Sequence, residues 1–387
     1  MRIFFLIRDM TIGGAQRQLV LLASELRKQG HQVTVATFYP GGQLWNELTE
    51  NSVEAICLDK KGRWDIFLFL FRLIKEIRRN NPDILYAYLR MPNILSIIAK
   101  LIFPEMRVVW SVRSSNTDFS QYNWLTRLSF WLECRLAQFA DLIISNSDAG
   151  KRFVAENGFP ENKVQVVYNG IDTERFKPAP ELRQRIRTEW GIAPDCVLIG
   201  MVARLDPKKD HDTFLRAARI VAYRTSMVKF VCVGSGPKSY EQYLRATSHA
   251  LGLQESVVWA GTRQDMAAVY GAINILCLPS SSGEGFPNAV GEAMACGVPC
   301  VVTDNGDSAF VVGDTGAVVP VGDADAIADA VLGLMAVRSD AMRHACRMRV
   351  QRYFSPAALT DATLLALRGL TDGAQYIDDG KCRRAGN

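Results

Sequence analysis

Short, unbroken apolar runs alternate with longer amphipathic stretches along most of the chain. RIFFLI comes first, a helical period follows over about 15–29, then come HQVTVATF, a second helical stretch over about 66–79, and the runs DILYAY and MRVVWSV. Runs this short and this uniformly apolar predict strands covered on both faces, and strands separated by helices predict a parallel sheet with crossover connections. The rhythm halts over 169–195, NGIDTERFKPAPELRQRIRTEWGIAPD, where prolines and charges interrupt it. It resumes with VLIGMVAR, VKFVCVGS, SVVWAG, ILCLPS, PCVVTD and AVVPV. The pattern predicts an α/β protein of two Rossmann-like domains, 1–170 and 196–352, joined by a linker at 171–195. A last helix signal begins at Ser355 and Pro356, as N-cap and first helical residue, and carries Leu359, Ala362, Leu365 and Leu367 as its apolar stripe. This helix, about 355–370, is expected to pack back on the first domain, and the aperiodic residues 371–387 are expected to be disordered.

Length agrees with two domains, because 387 residues exceed what one ordinary core organises. With 48% hydrophobic and 22% charged residues the balance is that of a globular, cytoplasmic enzyme. Nine cysteines stand singly with no CxxC spacing, which predicts reduced core thiols and no zinc site. The apolar run at 3–7 is too short for a leader and reads as a first strand. No apolar run approaches the roughly 18 residues that span a bilayer. Charge is unevenly placed: residues 1–170 hold 21 Lys and Arg against 16 Asp and Glu, leaving 24 of each for the rest. The first half is thus expected to meet something anionic. The segment KKGRWDIFLFLFRLIKEIRRNNP, 60–82, suggests what: Trp64, Phe67, Phe71 and Ile74 share a face, Arg72, Lys75, Arg78 and Arg79 crowd the rest, and there are more apolar residues than one buried stripe needs. It is expected to dock peripherally on anionic membrane at the cytoplasmic side, against the plainer reading of a crossover helix with a solvated basic end. Nothing in the chain points to nucleic acid.

Ligands of open parallel sheets bind beyond the carboxyl ends of the strands, where helix N-termini offer free N–H groups to phosphate. Three glycine-marked strand ends qualify: Gly13 and Gly14 after the first strand, Gly234 and Gly236 after FVCV, and 283–285 after ILCLPS. None is GxGxxG or a Walker loop, which disfavours a nicotinamide or ATP site. The third belongs to SSSGEGFPNAVGEAMACGVPCVVTD, where Pro287 suits a first helical position, Gly297 a C-cap and Pro299 a stop, predicting a helix from about 287 to 296. Glu284 then lies in the loop and Glu292 inside the helix, more than a turn in. Two carboxylates beside a helix N-terminus suit a polyhydroxylated ligand that also carries phosphate, because one carboxylate accepts two vicinal hydroxyls; the alternative is a pair of solvated acids. In GMVARLDPKKDHDTFLRAARIV, Arg204 and Lys209 can converge on a diphosphate and neutralise a leaving group, or form a basic turn.

The assembled pieces IGGAQRQLVLLASELRKQGHQVTV, FADLIISNSDAGKRFV, VVYNGIDTERFKP, VARLDPKKDHDTFLRAA and SSSGEGFPNAVGEAMACGVPCVVTDNGDSAFVVGDTGAVVP resemble, in order, the retaining GT-B glycosyltransferases of glycosyltransferase family 4. Glu284 and Glu292 match that family's pair of glutamates separated by seven residues. The resemblance implies two Rossmann-like domains facing a central cleft, a nucleotide-diphosphate sugar such as a UDP-sugar held mainly by the second, and an acceptor in the first. By position, Glu292 would bind ribose hydroxyls, Glu284 would sit near the donor sugar, and Arg204 and Lys209 would hold the diphosphate. The backbone of Gly285, Phe286, Pro287, Asn288 and Ala289 would line sugar and phosphate, with Gly13 and Gly14 letting the first loop approach closely. No metal or other cofactor is implied. Where many relatives place histidines, this chain has Arg113 and Tyr88; Arg113 is assigned a catalytic, donor-positioning role, with a structural ion pair as the alternative. The expected reaction is transfer of a hexose-type sugar to a glycan or polyprenyl-linked acceptor in bacterial surface polysaccharide assembly. The alternatives are a nucleotide-sugar 2-epimerase and a non-catalytic sugar-nucleotide binding subunit.

Overall fold

The computed structural model describes residues 1–62, 65–113, 123–337 and 339–371. Trp64 and residues 372–387, the segment expected to be disordered apart from its first residue, lie outside the described residues. The chain divides into two compact units, Met1–Gly170 with the chain from Pro356, and Ile171–Ser355.

In the first unit β1 (Arg2–Ile7), α1 (Gly14–Lys28), β2 (Gln32–Thr37), α2 (Trp45–Glu50), β3 (Glu54–Cys57), α3 (Ile66–Asn80), β4 (Ile84–Tyr88), α4 (Arg90–Ile102), β5 (Arg107–Val112), α5 (Trp124–Leu136), β6 (Leu142–Ser145), α6 (Asp148–Glu156) and β7 (Val164–Val166) alternate. All strands are parallel, in the order β3-β2-β1-β4-β5-β6-β7. Right-handed crossovers put helices on opposite faces on either side of β1. The core obeys this: Leu19, Leu22 and Leu26 of α1 and Leu48 of α2 pack on one face, while Phe69, Leu73 and Ile77 of α3, Ile97 of α4 and Val154 of α6 pack on the other. Phe5, Tyr86 and Tyr88 stack beneath the first face, with ring centroids 5.1–5.9 Å apart.

The second unit runs through α7 (Pro180–Glu189), β8 (Val197–Val202), α8 (His211–Arg224), β9 (Val228–Val233), α9 (Lys238–Ala250), β10 (Val257–Gly261), α10 (Met266–Ala272), β11 (Ile275–Leu278), α11 (Asn288–Ala295), β12 (Cys300–Thr303), α12 (Ser308–Val312), β13 (Ala317–Val319), α13 (Ala324–Ala336) and α14 (Asp340–Tyr353). Its sheet is also wholly parallel, in the order β10-β9-β8-β11-β12-β13. Two parallel α/β sheets are what the apolar runs predict. The last helix, α15 (Pro356–Thr371), returns to the first unit and lays Leu359, Leu364 and Leu367 into the core beside α1.

Three expectations need correction. The stretch 171–195 is not a bare linker: α7 is part of the second unit, and the buried Arg187 donates to the carbonyls of Ala193, Cys196 and Ala272 and to Asn274 Oδ1. Arg187, one of the charges that broke the strand rhythm, thus satisfies backbone carbonyls at the amino ends of the neighbouring strands β8 and β11. On α15, Leu365 is exposed and Leu364 takes the buried place, because positions 360, 364 and 367 follow the i, i+4, i+7 spacing of the face turned to the core. Pro287 is the N-cap of α11 and its first helical residue is Asn288, one position later than the proline signal places it. Among the described residues eight cysteines are free thiols, six of them buried.

Candidate functional site

In the second sheet β8 and β11 are neighbours although two strands separate them in sequence. The chain leaving β8 turns to one side and the chain leaving β11 to the other, which makes this the switch point where open α/β sheets place their ligand crevice. Lys209 comes from the first loop and Glu284 from the second. Asp206 caps a short turn by accepting from Lys208 N at 3.0 Å, and Asp210, in the left-handed region at φ 54°, ends it and caps α8 by accepting from Thr213 N at 3.1 Å. Lys209, held between these caps, donates its Nζ to Glu284 Oε1, and Ser280 Oγ donates to the same oxygen at 2.6 Å. Glu284 is only 6% exposed. A carboxylate so buried requires partners, and here a cation and a hydroxyl supply them. Ser281 N donates to Lys208 O at 2.9 Å and ties the loops together.

The loop after β12 braces this arrangement. Thr303 Oγ1 and Asn305 Nδ2 donate to Ser280 O at 2.7 and 3.2 Å, and Asp307 N donates to Gly285 O at 3.2 Å. Gly306 has φ 63°, and a Cβ there would stand 2.0 Å from Glu284 O, so only glycine fits. The same argument explains Gly234, where φ is 143° and a Cβ would meet Ala203 O at 1.9 Å. A Cβ on Gly236 would meet Leu205 O at 2.2 Å, so both glycines press the exit of β9 against that of β8. Phe286 packs edge-on against Phe354, 5.1 Å between centroids, and anchors the loop that leads to Asn288 and Ala289 in the first turn of α11. Half-buried Glu292 accepts from the hydroxyl of buried Tyr270 at 2.8 Å, which fixes the direction of one carboxylate oxygen. Arg204 is not drawn into the Lys209 pair: its side chain is 80% exposed, with Asp206 3.6 Å away. His211 is buried, its Nδ1 has no partner, and burial pushes its imidazole down to about 4. Among the described residues no three His, Cys, Asp or Glu stand where they could hold a metal ion.

In the first unit the site lies at the ends of β4 and β5. Arg113 donates from Nε to Ser111 Oγ at 2.9 Å, from Nη1 to Asn169 Oδ1 at 2.5 Å and from Nη2 to the Tyr88 hydroxyl at 3.0 Å, while its guanidinium lies 4.8 Å from the Tyr88 ring centre. Every one of these partners is neutral, and burial holds the Tyr88 phenol above its ordinary pKa. Among the described residues no carboxylate pairs with Arg113. Beside it Leu89 carries φ 73° and ψ 167°, a conformation that favours glycine and marks strain at the end of β4. Gly13 caps α1 in extended conformation, and a Cβ there would meet only the mobile end of Gln16. The protein itself therefore makes little demand for glycine at 13. Sequence reasoning missed Tyr270, Ser280 and Gly306, and it passed over Ser111 and Asn169. The only local signals were the Asn-Gly pairs in VVYNGID and VVTDNGD.

Two parallel-sheet α/β domains, each carrying polar residues at its strand-carboxyl edge, are the architecture of the GT-B fold. The model of Glycosyltransferase Family 4 matches residues 12–175 and that of Glycosyl transferases group 1 matches 196–336, and the chain belongs to this family. EpsF of Bacillus subtilis is 25% identical over 310 residues, 79% of each chain. The Escherichia coli UDP-Gal:alpha-D-GlcNAc-diphosphoundecaprenol alpha-1,3-galactosyltransferase is 26% identical over 272 residues, 68% of this chain and 69% of that one. Anabaena HepE, crystallised in complex with UDP, superposes with a TM-score of 0.83 at 21% identity, covering 95% of this chain and all of that one.

Proposed function

We propose that the chain transfers a hexose from a UDP-sugar, with retention of anomeric configuration, to a glycan or polyprenyl-linked acceptor in the assembly of a bacterial surface polysaccharide. The observation that carries this reading is the Lys209–Glu284–Ser280 cluster at the β8/β11 crevice, with Glu292 oriented nearby by Tyr270. Glu292 would accept the ribose hydroxyls. Lys209 and the extended Arg204 would take the diphosphate, whose charge grows as the sugar leaves. In that step the bond from the anomeric carbon to the diphosphate oxygen breaks, the acceptor oxygen bonds to the same face of the carbon, and the acceptor proton passes to the departing phosphate oxygen. Arg113, fixed by neutral groups, would bind an anionic group of a substrate. One relative, named for both UDP-Gal and a diphosphoundecaprenol acceptor, supports the donor and acceptor classes. Mass-spectrometric screening of a nucleotide-sugar panel, with the product anomer read by proton NMR, tests the reading; an inverted anomer would sink the retaining step. The two cations are proposed to replace a metal, so activity should survive EDTA, and loss restored by magnesium would refute that part.

The first unit is further proposed to rest on anionic membrane through α3. Phe69, Leu73 and Ile77 take its buried face, leaving Phe67 90% and Phe71 64% exposed ahead of Lys75, Arg78 and Arg79. Arg72 leaves the group of surface cations, since it donates to Leu58 O and Asp59 O. Each remaining cation near a lipid surface contributes about 1 kcal/mol. No helix among the described residues is long and apolar enough to cross a membrane.

A further inference from the structure

Helix α5 is built inside out. In WLTRLSFWLECRL, Trp124, Leu128, Trp131 and Leu132 stand at the i, i+4, i+7 and i+8 spacing of a core-facing stripe. Here that stripe faces outward: Trp124 is 70% and Trp131 54% exposed, and both leucines are exposed as well. The single residue of the helix that is buried is a charged one, Glu133. Its carboxylate accepts from Arg90 Nε at 3.0 Å and from Asn93 Nδ2 at 2.9 Å, both on α4, so the rotation of α5 about its axis is pinned by an ion pair and an amide. Turning a carboxylate inward and two tryptophans outward reverses the ordinary cost of burial, and a contiguous apolar surface of this kind marks a site of association.

The charges around the stripe indicate what covers it. The carboxylates of α3 and α5, Glu76 and Glu133, are both turned largely inward, while the exposed charges on these helices include Lys75, Arg78, Arg79 and Arg135. A second copy of the chain seated on this face by a two-fold axis would set those cations against themselves. An anionic lipid surface complements them, and tryptophan prefers the headgroup level of a bilayer, where its ring is apolar and its N–H stays wet. Arg135 lies over the Trp131 ring at 5.6 Å, which keeps a cation beside the apolar stripe. Helices α3 and α5 belong to the same layer, since Phe69 and Leu73 of α3 and Leu136 of α5 pack into one core cluster. Crossover helices run antiparallel to their strands, so Phe67 and Trp124, at the helices' starts, both stand toward the carboxyl edge that carries Tyr88 and Arg113.

We infer that α5 is a second membrane-docking helix, inserting Trp124, Leu128 and Trp131 at the headgroup level of an anionic membrane, in the same layer as α3. The inference rests on the membrane reading of α3 and adds to it the residues that enter the lipid. Full-length protein is sedimented with vesicles of phosphatidylcholine containing phosphatidylglycerol, with pure phosphatidylcholine as control, and tryptophan fluorescence is quenched with lipids brominated along the acyl chain. Wild type should bind the anionic vesicles and be quenched. A Trp124→Ser/Leu128→Ser/Trp131→Ser variant should bind at least tenfold more weakly, with unchanged circular dichroism and melting temperature because the three side chains are solvated. In Trp124→Phe/Trp131→Phe, which keeps the apolar stripe, binding should persist while quenching falls. If the serine variant binds as wild type while Phe67→Ser/Phe71→Ser does not, the α3 reading stands and this inference is overturned. If wild type ignores all vesicles, or forms a dimer that the serine variant dissociates, both readings fall.

Discussion

At the carboxyl edge of the second sheet a lysine and a glutamate neutralise one another, whereas at the edge of the first an arginine is held by a serine, an asparagine and a tyrosine. The difference separates two ways of keeping a cation ready. Lys209 has a resident anion and can share its ammonium with an incoming phosphate, so little charge is left uncompensated when the site is empty. Arg113 has no resident anion among the described residues, and its planar fork is aimed by partners that fix direction without cancelling charge. The first arrangement suits charge that changes during reaction, and the second suits an anion present throughout.

The largest expected effect is at Lys209. Lys209→Ala strands a carboxylate that is almost fully buried, and breaking a buried pair costs about 3–5 kcal/mol; because the lysine side chain is 22% exposed, about 2–3 kcal/mol is expected in chemical denaturation. Turnover should drop by more than about 100-fold as well. Arg204→Ala should also lower turnover yet leave the denaturation midpoint where it was, as its side chain is mostly in water. Equal stability losses in the two variants would break the distinction between a paired and an unpaired cation.

Next comes Arg113. A hydrogen bond to a charged group contributes about 1.5–3 kcal/mol, so Arg113→Gln should cut kcat/KM by about 10–100-fold. Arg113→Lys, which keeps the charge and loses the fork, should recover only part of it, and full recovery would show that charge alone matters. Glu292→Ala should raise the donor KM about tenfold or more, with Tyr270→Phe producing a smaller rise in the same direction. An unchanged KM in both would remove Glu292 from the donor site.

The smallest effect concerns His211, at the start of the helix that follows Lys209. Its folded pKa, about 4, lies below the ordinary 6.5, so the unfolded chain binds the proton more readily and folding stability falls as pH drops from 6.5 toward 4. About 0.7 kcal/mol should be lost between pH 7 and 6. His211→Leu should flatten that slope; an unchanged slope would assign it to other groups.

Much of the architecture could be read directly. The apolar runs marked the parallel strands because a strand covered on both faces leaves no room for polar alternation, and glycine and proline marked the loops because few other residues fit their backbone angles. The charged residues of 180–189 misled, since a buried arginine serving carbonyls looks, one residue at a time, like a solvated one.

By itself the sequence determined which residues would be strands, which loops would carry carboxylates and cations, and which family the motifs belong to. Tertiary structure alone decided who meets whom: Lys209 and Glu284 stand 75 residues apart, Arg113 and Asn169 56 apart. It also decided that the apolar stripe of α5 faces outward while Glu133 faces in. Periodicity reports that a helix has an apolar side; only the surfaces packed against the helix, here Arg90 and Asn93 on α4, determine which side is turned to the core.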